Sequence, residues 1–220
     1  MTKAKTKVYE DYQTYVDLLR KYRPKLIVGF DETGNGAIAG PLAVGACALR
    51  LDFSEKVKDS KRYSDKTRQE AYKAVKALAL SSKVFYAHPH MIMSMGHGEA
   101  LTDLYRQALT HMYGLYGEDA LYILDGNQVV QDLDIPHSAL VKADDFVPAV
   151  SAASIVAKVD RDAFLLTKQP SEVWDFASSK GYPTKEHNKT LRKLGPIKGL
   201  HRMNIDSVQR AYNKVGWYKE

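Results

Sequence analysis

The chain has 220 residues, of which 45% are hydrophobic and 26% charged, with a net charge of +6. Those values fit a globular protein of one large domain and exclude a disordered or fibrous chain. A single cysteine, Cys47, excludes an intramolecular disulfide and a cysteine-held metal cluster and points to a reducing, cytoplasmic setting. No apolar run of about 18 residues occurs, so neither a membrane span nor a membrane partner is expected.

In chain order, residues 9–22 set Tyr12, Val16 and Leu19 on one face of a predicted helix, which Pro24 ends. KLIVGF (25–30) predicts a buried strand stopping at Asp31. The apolar run 37–51 predicts a second strand, irregular where Pro41 enters it. Ser64 supplies an N-cap for a helix within 59–80. Residues 83–88 predict a strand, and 96–117 a long helix ended by glycines. Residues 120–126 and 138–144 predict strands that stop at Asp125 and Asp144. In 148–166 a predicted helix carries Ser151, Ala152, Ala153, Ser154 and Ala157, small enough to lie close against a sheet. Beyond 171, glycines and prolines break a polar stretch with short helices near 185–194 and 205–215.

Strands alternating with helices predict an α/β fold with a mixed central sheet flanked by helices. The expected division is an N-terminal helical extension (1–24), a catalytic domain (25–170) and a basic helical C-terminal region (171–220). That last region holds ten Lys or Arg against five Asp or Glu. A basic end on a nearly neutral body suits a polyanion, and Lys180, Lys185, Arg192, Lys193 and Arg202 are expected to track a nucleic-acid backbone.

Acids at strand ends are the chemical signal. Asp31, Glu32, Asp125 and Asp144 would converge if their strands are neighbours. Each alone is also what a solvated turn carries, and Asp125-Gly126 reads as a turn pair. Together, close carboxylates repel and require cations, and an all-oxygen donor set selects Mg²⁺ or Mn²⁺. Two such ions about 4 Å apart activate water and stabilise the leaving oxygen of a phosphodiester. Gly34, Gly36 and Gly40 are one residue off the dinucleotide fingerprint and lead into Pro41 and a β-leaning run rather than a helix, which argues against a nucleotide cofactor. His88, His90 and His97 lack cysteine partners and zinc-motif spacing, so no zinc is expected.

GFDETGNGAIAGPLAVGA (29–46) resembles the first motif of the type 2 ribonucleases H, or ribonuclease HII family, usually DEAGRGPLAGPVV. DSKRYSDKTR (59–68), LDGN (124–127), KADDFVPAVSAASIVAKVDRD (142–162), GYPTKEH (181–187) and GLHRMNIDSV (199–208) resemble later family motifs in the same order. The resemblance implies an RNase H-like fold and hydrolysis of the RNA strand of RNA–DNA hybrids with Mg²⁺ or Mn²⁺. It implies that Asp31, Glu32, Asp125 and Asp144 are the metal-binding acids and Tyr182 the substrate tyrosine. Lys61 and Lys158 fall in matching motifs and would contact phosphate, screen the acids or form buried ion pairs, while Thr184 and His187 would shape the Tyr182 segment. Hybrids and ribonucleotide-containing duplexes are the expected partners of a monomer.

One position departs from the pattern. The family usually has Gly-Arg-Gly where this chain has Gly34-Asn35-Gly36. The resemblance implies that this loop reads a ribonucleotide–deoxyribonucleotide junction, so the loss of a cation predicts weaker cutting at single embedded ribonucleotides. The alternatives are a non-catalytic hybrid-binding protein and a metal nuclease acting on DNA.

Overall fold

A computed structural model of the chain describes residues 3–52, 64–168 and 172–219. Lys61 lies outside the described residues. Among these, five strands form one mixed sheet in the order β3-β2-β1-β4-β5. They are β1 (Leu26–Thr33), β2 (Leu42–Arg50), β3 (Ser81–Ala87), β4 (Ala120–Asp125) and β5 (Ser138–Leu140). β1 pairs in parallel with β4, and β4 with β5. The buried, nearly uninterrupted apolar runs of β1 and β2 are those of strands inside a sheet. The helices are α1 (Lys3–Tyr22), α2 (Asp65–Leu78), α3 (Pro89–Met95), α4 (His97–Tyr116), α5 (Pro148–Leu166), α6 (Phe176–Ser179), α7 (Lys185–Leu194) and α8 (Asp206–Val215).

Two compact units are present. The first comprises Met1–Glu32, Val44–Phe85 and Leu104–Val159, and the second Thr33–Ala43, Tyr86–Asp103 and Asp160–Glu220. The first unit's core gathers Ile27, Cys47, Leu49, Leu121, Ile123 and Val150. Burial pushes the Cys47 thiol up to about 12. Small residues let α5 touch the sheet at backbone distance. A methyl group on Gly29 would come within 2.2 Å of the Ala149 backbone, and one on Gly45 within 2.3 Å of the Ala153 carbonyl oxygen.

Helix α1 is built into this core. Tyr15 is buried there, with Leu18 and Leu19 packed beside it, and Tyr12 meets Phe146 edge-on at 5.7 Å. Asp11, 4% exposed, accepts from Lys7 Nζ at 2.7 Å and from the Val141 amide at 3.0 Å. The second unit packs Ile38, Leu165, Trp174, Phe176, Leu191 and Val208 around two histidines, His187 and His201.

Several expectations differ from the fold at their ends. Helix α1 begins at Lys3 rather than near residue 9. The predicted 96–117 helix is α4, preceded across Gly96 by the separate short α3. Strand β1 runs through Asp31 and Glu32 to Thr33 rather than stopping at Asp31. Strand β5 ends at Leu140, so Asp144 is not a strand-end acid. Lys142 takes a left-handed conformation (φ 58°) and opens a 3₁₀ turn, Ala143–Asp145. Bonds from the Asp145 amide to the Lys142 carbonyl and from the Phe146 amide to the Ala143 carbonyl replace the sheet ladder there. Arg202, expected on a basic surface, is 1% exposed, with its Nε donating to the Gly40 carbonyl at 2.9 Å.

Candidate active site

Pairing in the sheet sets the acids side by side. The β1–β4 register ends at Phe30 opposite Leu124, so the next step places Asp31 beside Asp125. Asp125 in turn lies opposite Leu140 on β5, four residues before Asp144. The Ala143 amide donates to Asp125 Oδ1 at 2.8 Å, which folds the 3₁₀ turn back over the end of β4. Carboxylate oxygens of Asp31, Asp125 and Asp144 all lie within 4.8 Å of one another. Asp31 and Asp144 are buried, and Asp125 is half-buried. Burial, then the charges of Asp125 and Glu32, push the Asp31 carboxyl well above the ordinary carboxylate range, against a lowering hydrogen bond from Ser154.

Sequence reasoning placed four acids at one point. Three lie in this cluster, and the fourth is held at its side. Glu32 follows Asp31 on β1, its amide donating to Asp31 Oδ1 at 2.8 Å. Its Oε2 accepts from the Tyr105 hydroxyl at 2.5 Å. Tyr105 is 2% exposed on α4, and sequence reasoning missed it. The available signal was a tyrosine on the buried face shared with Leu101, Leu104, Ala108 and Met112, where a phenol requires a polar partner. Ser154 was read only as a small residue, yet it supports Asp31. Lys158 is half-buried one helical turn beyond Ser154 and shares its face of α5. Asp145, next to Asp144, is exposed.

In the second unit, Gly34, Gly36 and Tyr182 form a separate constellation. Gly34 has φ +92°, and a methyl group there would lie 2.5 Å from Arg161 Nε, so both conformation and space demand glycine. A methyl group on Gly36 would meet the Tyr182 ring at 3.9 Å, an ordinary contact. Asn35 is exposed between them. Arg161, fully buried, organises this loop. Its Nε donates to the Pro41 carbonyl at 3.0 Å, one Nη to the Lys180 carbonyl at 2.9 Å and the other to the Ala39 carbonyl at 3.3 Å. Its guanidinium carbon stands 5.2 Å from the centre of the Tyr182 ring. Asp162 Oδ1 lies 3.5 Å from Arg161 Nη1 as an ion pair. Nothing in the charged run 158–162 singles out Arg161 as the fully buried member.

The Tyr182 segment is fixed from its other side. Thr184 caps α7, accepting from the His187 amide at 3.1 Å. His187 Nδ1 lies 2.9 Å from the Tyr182 carbonyl, which can only accept, so Nδ1 carries a proton. His201 Nδ1 accepts from the Ile197 amide at 2.9 Å, so its proton sits on Nε2. That proton bridges the 3.1 Å between the two Nε2 atoms. Both imidazoles are therefore neutral and their ring nitrogens satisfied. Burial lowers the pKa of each, that of His201 to about 3.

Known proteins resemble the chain over most of its length. The family profile described as Ribonuclease HII matches residues 28–208. A ribonuclease HII of Francisella philomiragia is 32% identical over 186 residues, covering 84% of this chain and 98% of the relative. The ribonuclease H2 of Pyrococcus horikoshii superposes with a TM-score of 0.68 at 22% identity, over 86% of this chain and 97% of that one. A Bst ribonuclease HIII in complex with Mn²⁺ superposes with a TM-score of 0.62 at 18% identity, over 86% of this chain and 69% of that one. With its profile matched over most of its length and the acids of its first, third and fourth motifs gathered on β1, β4 and the turn after β5, the chain belongs to the ribonuclease HII family of ribonuclease H endonucleases.

Proposed function

We propose that the chain hydrolyses the RNA strand of RNA–DNA hybrids at the Asp31, Glu32, Asp125 and Asp144 carboxylates, with Mg²⁺ or Mn²⁺ as cofactor. The observation that carries this reading is the convergence of three carboxylates within 4.8 Å. The donor set is all carboxylate oxygen, which suits a hard divalent ion. Burial and, after it, the neighbouring carboxylates raise the Asp31 pKa, and a divalent cation offsets both. When bound, such ions turn water into a nucleophile and neutralise charge on the leaving oxygen of a phosphodiester.

The chain's own groups do the rest. Asp31, Asp125 and Asp144 supply donor oxygens from rigid strand ends and a short turn. Tyr105 fixes the rotamer of Glu32, and Ser154 that of Asp31. Tyr182 offers a ring to stack on a sugar or base. Backbone groups at Gly34, Asn35 and Gly36 grip the sugar–phosphate, and Lys158 screens the acids or meets phosphate; Lys61 is assigned the same role from its motif alone.

Asn35 sets the substrate preference within this reading. Arg161, whose Nε would lie 2.5 Å from a methyl group on Gly34, commits donors to carbonyls and does not replace a phosphate-binding side chain at position 35. Hybrids with a run of ribonucleotides are therefore cut better than duplex DNA with one embedded ribonucleotide. The experiment compares both substrates, with all-DNA duplex as control, at matched Mg²⁺ and Mn²⁺. Equal or better cutting of the single-ribonucleotide duplex overturns the Asn35 assignment. Cutting of the all-DNA duplex, or no metal-dependent cutting, overturns the hybrid reading.

A further inference from the structure

The second unit contains a cavity of about 410 Å³ that the proposed chemistry does not use. His88, His90, Phe164, Lys168, Ile197 and Lys198 line it, and none of its described lining residues carries a carboxylate. One wall is a ladder of rings. Tyr86 stacks on Phe164 at 6.0 Å, Phe164 meets His88 at 5.4 Å, and His88 stacks on His90 at 6.2 Å with only 10° between their planes. His90, at the end of the ladder, is exposed, as is Lys198. Lys168 Nζ lies 4.4 Å from the centre of the Phe164 ring. Burial, and after it His90 and Lys168, holds the His88 imidazole below its ordinary value.

Flat rings ending at an exposed face, flanked by ammonium groups and with no acid among the described lining residues, match one ligand chemistry: a phosphate joined to an aromatic base. We propose that this cavity is a second nucleic-acid contact, in which Lys168 and Lys198 hold one phosphate and the His88–His90 face stacks the adjoining base. A free nucleotide shares that chemistry. The strand is favoured because this chain's substrate is a polynucleotide, and in that respect the inference rests on the hybrid-nuclease reading above. Stacking on a ring is tolerant of sequence, so the contact adds affinity without base preference.

The test uses the full-length protein with Lys168→Ala and Lys198→Ala combined, and Lys21→Ala with Lys73→Ala, both exposed, as a control of equal charge loss on α1 and α2. Hybrid affinity is read by fluorescence anisotropy without metal at several salt concentrations, and kcat and KM by cleavage. The cavity variant should bind hybrid about 5- to 20-fold more weakly, with a salt slope shallower by about one ion, as expected for one lost phosphate contact. KM should rise and kcat stay within about twofold, while the control changes neither affinity nor slope beyond about twofold. Affinity and slope equal to wild type, or matched by the control, overturn the proposal. So does a cavity that binds AMP, read from the His88 and His90 ring proton shifts, with hybrid affinity unchanged in the variant. Binding is measured without turnover. A protein that cleaves no hybrid yet loses affinity in the cavity variant therefore refutes the nuclease reading and leaves the cavity contact standing.

Discussion

At the scale of single residues, the site depends on groups that carry no charge themselves. Tyr105, 2% exposed, donates its hydroxyl to Glu32, which makes it a positioning residue. Tyr105→Phe keeps the ring and its packing and removes only the hydroxyl. Supporting groups of this kind typically contribute about 10- to 100-fold in metal affinity or activity. The variant should lose a factor in that range in Mn²⁺ affinity by titration calorimetry while melting within a few degrees of the parent. Unchanged affinity would show that Glu32 needs no such support. Asp31 predicts the opposite sign for stability. Its carboxyl is held above its ordinary value, so the folded metal-free protein loses stability as pH rises past the unfolded value near 3.8. Asp31→Asn should therefore melt higher than the parent at pH 7 without metal, while abolishing metal-dependent cleavage. A lower melting temperature would mean that the cluster's repulsion is already relieved. At Asn35, a charged contact to phosphate exceeds a neutral one by about 1 kcal/mol, roughly fivefold in kcat/KM. Asn35→Arg should raise cutting at single ribonucleotides by that order and leave longer RNA tracts little changed.

At the scale of elements, α5 was the most legible part of the chain, and its bounds are those its small-residue pattern gives, 148–166. Gly29 and Gly45 have no room for a side chain against it. Gly29→Ala should destabilise the fold by at least the ~1–3 kcal/mol typical of overpacking, because backbone rather than a flexible side chain must move. A denaturant midpoint equal to the parent's would show that the helix can recede. The turn holding Asp144 was not legible, because nothing local marks Lys142 as left-handed. The turn depends on two distant acids, Asp125 accepting from Ala143 and Asp11 accepting from Val141. Strand-end logic still placed Asp144 beside Asp125, since a strand that ends early and a turn that folds back both deliver it there. What escaped was the supporting layer of Tyr105, Ser154 and Arg161, whose roles rest on contacts across tens of residues that no periodicity encodes.

At the scale of the whole molecule, the His187–His201 pair links acid tolerance to the Tyr182 segment. The folded protein keeps both rings neutral, and His201 takes a proton only near pH 3. An unfolded chain takes it near 6.5. Between those values the unfolded state binds more protons, so the pair's stability is present above 6.5 and is lost as pH falls toward 3. His201→Ala removes this pH dependence and leaves the Ile197 amide and His187 Nε2 without partners, at about 1–3 kcal/mol each. Its melting temperature should be lower at pH 7 and fall less steeply from pH 6.5 to 4 than the parent's. Parallel curves would refute the assignment of both protons. The charge asymmetry of the sequence also needed refinement at this scale. Arg202 contributes buried structure, whereas Lys185, Arg192 and Lys193 remain exposed.

Cys47 adds a practical consequence. It is the chain's sole thiol, wholly buried and with a thiolate that forms only near pH 12, so alkylating and thiosulfonate reagents meet no native target in the folded protein. A single cysteine introduced at exposed position 35 would be the one reactive handle. Coupling it to aminoethyl, hydroxyethyl or sulfonatoethyl groups would set the loop positive, neutral or negative within one preparation. Cleavage of the same duplex could then be followed as a titration of charge at one atom position, and reversed by adding reductant.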